Sequence, residues 1–363
     1  MVGVAIIGTG VVSEQHIKAY QMFTDRCEIF AVCDIFSGKA REQKEKYHLE
    51  NAIVYEDYKQ ILKRKDIQLV SICTPPFTHA SCAIDCMQSG KHVLIEKPMA
   101  SSLEECDAMI EVQRETGSFL GVVSQNRYTQ ENQKLKKLLT SGIVGKVHFG
   151  QVESFWFRGH SYYDLWWRGT WEKEGGGCTL NHAVHQIDLL NWMMGRPKTV
   201  TAILGNVAHD NAEIEDVSAA VFTYENGAIV ILTASLVTHG EGQRIVFQCE
   251  KASLASPWDV KCSSSTPSGF PERNTEMETL IKKVYDAIPQ IANTGHAGQI
   301  DNVLHFLETE EQAAGGSGDG RMALEVITAI YQSGFTGRTV SLPLEINSSF
   351  YTKDGILANV QHL

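Results

Sequence analysis

The 363-residue chain has no apolar run approaching the roughly 20 residues that cross a bilayer, so a membrane span is not expected. It also lacks a block of basic residues. Its 32 lysines and arginines against 43 aspartates and glutamates give a formal net charge of −11, so nucleic acid is not an expected partner. There is no Cys-x-x-Cys pair. The nine cysteines are scattered, and Cys33, Cys73 and Cys249 fall in apolar runs where a thiol acts as a small hydrophobe. The opening Met1 to Gly8 carries no basic residue ahead of its apolar stretch, so it reads as a strand rather than a signal peptide. Reduced thiols in a cytoplasmic setting are the expectation. Internal repeats and low-complexity tracts are absent too. What is present is an ordinary globular composition, 43% apolar and 21% charged, in a chain long enough for two cores.

The first third alternates strands and helices. Val4 to Ile7, Glu28 to Cys33, Leu69 to Cys73 and His92 to Ile95 read as strands, with helical stretches between them, including Ser13 to Met22 and His79 to Ser89. Right-handed crossovers between such strands give an α/β fold with a doubly wound parallel sheet. Gly8-Thr9-Gly10 lies directly between the first strand and the first helix, with Ser13 where a third glycine would complete G-x-G-x-x-G. Backbone N–H groups in that loop can hold a pyrophosphate at the helix N-terminus. Asp34 ends the second strand, where a carboxylate accepts from both ribose hydroxyls and repels a 2′-phosphate. NAD is therefore expected in preference to NADP, although Lys39 and Arg41 lie beyond. Thr74-Pro75-Pro76 forms a rigid ledge at the same sheet edge, and His79 is expected to cap the next helix or touch the cofactor.

Two further segments carry chemistry. In Glu96-Lys97-Pro98 a lysine ends a buried parallel strand, with a proline that makes a cis bond plausible and fixes the lysine's direction. The second is Gly175-Gly176-Gly177 followed by Asn181, His185 and Asp188, which share one stripe at helical spacing, beside an apolar stripe of Leu180, Val184, Ile187 and Met194. The glycines are expected to form a flexible entry for a ligand. His185 is the natural acid or base, the alternative being a buried histidine satisfied by its neighbours. His182, His185 and Asp188 have ligand chemistry but do not converge, so no metal is expected.

Beyond Gly121, strand-like runs dominate: Val147 to Phe157, Val200 to Val207, Asp216 to Tyr224, Ala228 to Thr238 and Arg244 to Cys249, with Asn226-Gly227 as a hairpin turn. They imply a large, mostly antiparallel open sheet in an α+β domain, with residues 1–122 and 123–363 as the two domains. Helical stretches are expected at Leu135 to Ser141, from Gly295 through Phe306 and at Met322 to Ser333. A Gly-Ser turn is expected at Ala313 to Asp319 and a strand at Thr339 to Leu342. The sheet's outer face needs cover, and a second copy of the chain is the expected partner. Phe155 to Trp171 is rich in aromatics, including Trp156, Tyr162, Tyr163 and Trp167, with Arg158, His160 and Arg168. Such a loop can stack on sugar C–H faces or pack an interface. The tail from Asn347 to Leu363 is expected to dock on a neighbouring subunit or stay loose.

Taken in order, Gly8-Thr9-Gly10, Asp34, Thr74-Pro75-Pro76, Glu96-Lys97-Pro98 and the glycine-led helix with His185 and Asp188 resemble the Gfo/Idh/MocA family of nicotinamide-dependent sugar oxidoreductases. The resemblance covers nearly the whole chain. It implies Lys97 and His185 as the catalytic pair, with Asn181 assisting. It implies NAD contacts from Gly8, Gly10, Val11, Val12, Asp34, Thr74, Pro75, His79, Glu96, Lys97, Gln125, Trp167 and Arg168. Substrate contacts would come from Lys97, Arg127, Trp156, Tyr163, Asn181, His185 and His296. Asn181 departs from the aspartate that many members carry; with Trp167 to Trp171 it is similar to a subset acting on pyranosides or nucleotide sugars. Asn181 and Asp188 are expected to orient His185, so that Asn181→Asp would shift the pH profile of turnover. The reading that follows is oxidation of a glycoside's 3-hydroxyl, with flavonoid-type O- or C-glucosides as its sharpest form. Alternatives are an inositol or nucleotide-sugar dehydrogenase, a glycosidase working by transient 3-oxidation, and a non-catalytic sensor.

Overall fold

Apolar segments buried on both faces form parallel strands covered by helices, and six of them build the first sheet. They are β1 (Val2–Ile7), β2 (Cys27–Cys33), β3 (Ile53–Tyr55), β4 (Leu69–Ile72), β5 (His92–Ile95) and β6 (Leu120–Val122), all parallel in the order β3-β2-β1-β4-β5-β6. This doubly wound arrangement puts the ends of β1, β2, β4 and β5 along one edge. The computed structural model describes residues 1–309, 311 and 315–360.

The second sheet has eight strands: β7 (Val147–Phe157), β8 (Thr199–Gly205), β9 (Val217–Thr223), β10 (Ile229–Ser235), β11 (Val237–Cys249), β12 (Ser253–Ser256), β13 (Asp259–Lys261) and, last in the chain, Val340–Ser341, in the order β13-β12-β11-β7-β10-β9-β8 with Val340–Ser341 at the far edge. Every pair is antiparallel except β7 with β10. The β9–β10 hairpin turns at Gly227, whose φ of 85° explains the glycine after Asn226. Alternation along β8, β9 and β10 buries Val200, Ala202, Ala220, Phe222, Val230 and Leu232 and leaves Ile203, Val221, Ile229 and Ile231 facing out.

The helix Val184–Met194 and the long helix Ser317–Thr336 cover the buried face, with Val184, Ile187, Val326 and Ile330 in its core. A separate core lies under the other face of the first sheet, where Ile6, Ile17, Val32 and Leu94 meet Ile300, Val303 and Leu304 of the helix Gly295–Thr309. A helix late in the chain thus closes the first sheet, and Arg26 fastens it to Asp301 at 2.6 Å and Glu308 at 2.9 Å. The helix expected at Leu135 starts earlier, over Gln130–Thr140, because the Thr129 side chain accepts from the Asn132 N–H.

The tail departs from expectation. Phe350 is fully buried, the Tyr351 carbonyl accepts from the Glu104 N–H at 3.2 Å, and the Tyr351 hydroxyl is held by Asp107 and Arg321. An aromatic pair reaches the chain's own core, so the tail is anchored at home through Phe350 and Tyr351; residues 361–363 lie outside the described residues. So do Ala313 and Ala314 of the expected Gly-Ser turn, whose other end, Ser317 to Asp319, is helical. No helix among the described residues is long and apolar enough to cross a membrane.

Candidate active site

The glycine loop has the backbone a dinucleotide requires. Gly8 has φ 90°, and a Cβ there would lie 2.7 Å from the Cys73 backbone; at Gly10 a Cβ would meet nothing within 4 Å. The first glycine permits the turn against β4, and the second leaves open space beside the start of the helix Ser13–Tyr20. Ser13 packs where a third glycine was absent, its hydroxyl donating to the Gly10 carbonyl at 2.6 Å. Asp34 is held ready at the tip of β2, accepting from the Thr9 N–H and hydroxyl, both at 2.9 Å, and from the Phe36 N–H at 2.9 Å. Val11, Ile35 and Phe36 stand more than half exposed around it. Exposed apolar side chains beside a ribose-type carboxylate suit an adenine ring. Ile35 and Phe36 escaped the sequence reading, although their place next to Asp34 was the available signal.

Lys97 and His185 line one small cavity together with Val184, Asp188, Ser124 and Met99. The Lys97–Pro98 peptide is cis, and the Lys97 ammonium donates to the Asn181 carbonyl at 2.9 Å. Burial pulls the Lys97 pKa down, aided by Arg168 and opposed by Glu96 and Glu174. His185 has its pKa lowered to about 3, chiefly by burial and then by Lys97. It is therefore neutral at physiological pH. No hydrogen bond engages its ring among the described residues, so both nitrogens are available to a ligand.

The orientation expected for His185 is not found. Thr179–Ala183 is a π-helical turn, and only from Val184 is the helix α. The wider turn takes Asn181 off the stripe. Its amide donates to the Gly176 carbonyl at 2.7 Å, while Asp188 is turned to Arg127. Asn181 thus serves Lys97 through its backbone and the glycine loop through its side chain. An aspartate there would face carbonyl oxygens with an acceptor, so Asn181→Asp acts first on the loop.

The glycines are not a flexible entry either. A Cβ on Gly177 would lie 1.8 Å from the Glu215 carbonyl, and one on Gly176 would lie 2.1 Å from the Tyr331 hydroxyl. Close packing demands them. Buried Glu215 accepts from the Gly177 N–H at 2.8 Å, the Thr179 N–H at 2.9 Å and the Tyr331 hydroxyl at 3.0 Å, anchoring the start of the π-turn. Nothing in the local sequence around Glu215 announced this.

Three further expected contacts are corrected. Arg127 does not face substrate: it is 2% exposed and binds Asp188 through Nε at 2.8 Å and Nη2 at 2.6 Å, with Asp319 at 2.9 Å. Its fork ties the short turn Gln125–Tyr128 after β6 to both covering helices. We expect Arg127→Met to destabilise the fold by about 3–5 kcal/mol, because it strands the buried Asp188 carboxylate; urea unfolding measures this, and a change below about 1 kcal/mol would contradict it. Tyr163 is buried against Tyr162 and His209 rather than open to a sugar. His79 is fully buried, with Nδ1 2.8 Å from the Pro98 carbonyl and Nε2 2.8 Å from the Thr74 carbonyl, so both ring nitrogens are engaged by the backbone and it braces two strand ends against each other.

Other expected residues do gather at the cleft. Thr74 and Pro75 form the ledge, half-buried, and Phe77 just beyond meets Trp166 edge-on at 6.0 Å, so the aromatic loop reaches the first sheet's edge. Arg168 stacks on Trp167 at 4.2 Å and on Tyr162 at 4.0 Å, and pairs with buried Glu174 at 2.7 Å. Burial raises the Glu174 pKa to about 7 against that pairing. Val12 is half-buried beside the glycine loop, and Gln125, between Ser124 and Asn126 of the cavity lining, has Oε1 buried without a hydrogen-bond partner among the described residues. His296 lies 3.7 Å from Glu96, which itself accepts from His16 at 2.9 Å. Trp156 is half-buried, with its ring 5.6 Å from His182 and under the Arg158 guanidinium. His182, set aside on spacing grounds, is therefore part of this wall. Burial and the nearby charges of Lys97, Arg158 and Arg168 hold its pKa well below the usual histidine value.

Residues 2–124 match the model of an oxidoreductase family with an NAD-binding Rossmann fold, and residues 132–255 match the GFO/IDH/MocA C-terminal domain. Similar curated proteins include D-glucoside 3-dehydrogenase of Escherichia coli, 24% identical over 93% of this chain and 97% of its own length. Myo-inositol 2-dehydrogenase of Thermotoga maritima is 27% identical over 67% of this chain and 71% of its own. Among solved structures, the WlbA dehydrogenase of Bordetella pertussis in complex with NADH and UDP-GlcNAcA superposes with a TM-score of 0.81 at 27% identity, covering 95% of this chain and 99% of that one.

Proposed function

Since the chain belongs to the Gfo/Idh/MocA oxidoreductase family, we propose that it is an NAD-dependent dehydrogenase that oxidises a ring hydroxyl of a sugar, the 3-hydroxyl of a neutral glycoside. The observation that carries this reading is the pairing of Lys97 with an unengaged, neutral His185 in one cavity beside the dinucleotide edge. Bound NAD supplies the hydride acceptor at the sugar carbon. A His185 ring nitrogen takes the hydroxyl proton. The Lys97 ammonium, aimed from the cis turn and now on the Asn181 carbonyl, donates to the sugar oxygen as negative charge develops there. The products are a keto sugar, NADH and one proton. Arg158 is already paired with Glu241 at 2.6 Å and Arg168 with Glu174 at 2.7 Å, which favours an uncharged substrate. Trp166, 56% exposed at the cleft rim, offers stacking area for an aromatic aglycone of flavonoid type. The bound UDP-GlcNAcA of the Bordetella relative favours a nucleotide sugar as second reading.

The test is incubation with NAD and a panel of inositols, free sugars, glycosides and nucleotide sugars, following NADH and product mass. NADH formation with loss of two hydrogens from a glycoside supports the reading. Turnover of inositols alone would replace it, and bond cleavage without net NADH would point to a glycosidase.

The outer face of the second sheet supports a homo-oligomer, with a cytoplasmic setting as the accompanying expectation. Ile231 of β10 lies opposite Val221 of β9, and both are exposed with Ile203 and Ile229 on a flat antiparallel surface. Apolar area of this kind is ordinarily covered by another copy. We expect Val221→Glu with Ile231→Glu to lower the oligomeric state, read by light scattering after gel filtration; an unchanged mass would move the contact elsewhere.

A further inference from the structure

Three side chains from distant parts of the chain meet behind the glycine loop. His16 lies on the first helix and is fully buried, Glu96 follows β5, and His296 begins the helix that closes the first sheet. One donor atom from each lies within 4.8 Å of the other two. His16 Nε2 and Glu96 Oε1 are 2.9 Å apart, and His296 Nε2 is 3.7 Å from the same oxygen. A tetrahedral ion with bonds of about 2.0–2.1 Å holds its ligand atoms roughly 3.3–3.4 Å apart, a spacing these two contacts bracket.

A simple hydrogen bond from His16 to Glu96 would account for two members of the group. It leaves the third without a hydrogen bond: His296 Nε2 is buried, stands 3.7 Å from Glu96 and has no hydrogen-bond partner among the described residues. Such an orphan atom is costly unless something occupies the point it faces. The surroundings also supply a second shell. His16 Nδ1 lies 3.2 Å from the Ser71 hydroxyl, which lies 2.7 Å from the Tyr20 hydroxyl. An imidazole coordinating through Nε2 carries its proton on Nδ1 and donates it outward, and Ser71 is placed to accept.

We propose that His16, Glu96 and His296 form a binding site for one divalent d-block cation, zinc being the reference ion. Two imidazoles and one carboxylate favour such an ion over magnesium, which prefers oxygen ligands. The set supplies three of the four ligands of a tetrahedral ion. Occupation engages the Glu96 carboxylate next to Lys97, so the cation and NAD antagonise one another; this consequence rests on Glu96 serving the cofactor.

Zinc chloride titrated calorimetrically into the full chain without NAD tests the site, with magnesium chloride as control and cobalt(II) absorption as a probe of coordination. The expected result is one zinc per chain, weakened about tenfold or more by His296→Ala and by Glu96→Gln, with loss of the tetrahedral cobalt bands in both. Unchanged zinc affinity in His296→Ala would place the ion elsewhere and overturn the proposal, as would zinc binding no tighter than magnesium. Should Glu96→Gln not fold, His296→Ala decides alone, since its side chain keeps 19% exposure. NADH binding measured without metal reports the cofactor reading separately.

Discussion

Replacing His185 with alanine is expected to lower kcat for sugar oxidation by about a hundredfold to ten-thousandfold, the usual contribution of a positioned acid or base. NADH binding should hardly change. The imidazole makes no hydrogen bond among the described residues, so its loss removes a proton acceptor without breaking one. Single-turnover NADH formation and NADH fluorescence titration measure the two effects. Wild-type-like turnover would transfer the proton to another group, His182 being nearest in character. The same variant carries a stability signature. His185 has a folded pKa near 3, below its ordinary 6.5. The unfolded chain therefore binds a proton that the folded chain refuses as pH falls. The neutral ring costs nothing above about pH 6.5, and stability is lost progressively between that value and pH 3. His185→Ala should flatten that part of the stability profile in urea unfolding at pH 7 and pH 4.

Lys97→Met is the second large effect. Methionine keeps an unbranched side chain of similar reach but has no donor. If the ammonium bonds the sugar oxygen more strongly in the transition state, kcat falls by about a hundred- to a thousandfold, the cost of losing one oxyanion donor. The Asn181 carbonyl also loses its partner, which adds a stability cost of about 1–3 kcal/mol. Measuring kcat and KM separately divides the roles. A rise in KM with kcat intact would make Lys97 a binding residue and contradict its part in the chemical step.

Much of this architecture is legible locally. Strand and helix alternation predicts the first sheet, Asp34 ends β2 beside the glycine loop as expected, and Asn226-Gly227 marks the hairpin the structure contains. Periodicity also locates His185 and Lys97, because each sits at the end of an element whose boundary is written in its own residues. What periodicity cannot reach is the identity of distant partners. Arg127 and Asp188 are 61 positions apart, and His16 and Glu96 are 80 apart. A basic residue near a cleft then reads as a substrate contact until its carboxylates are located. The glycine run misleads for a related reason. Glycine permits flexibility and close packing alike, and only Glu215 and Tyr331 pressing against Gly177 and Gly176 decide between them. The stripe of Asn181, His185 and Asp188 assumed one helical period throughout, and Thr179–Ala183 breaks it.

That π-turn is, in effect, an α-helix holding one residue too many. Deleting a single residue between Thr179 and Ala183 would restore the tighter winding and leave the helix from Val184 onward intact. Everything ahead of it would swing by about 100° about the axis, the angle of one helical residue. The carbonyl that steadies Lys97 would rotate away with it, although no side chain at Lys97 or His185 had changed. In this cleft the lysine's partner is set by the number of residues in a turn rather than by their kind, so relatives with identical cleft side chains but a different count there would hold the lysine differently.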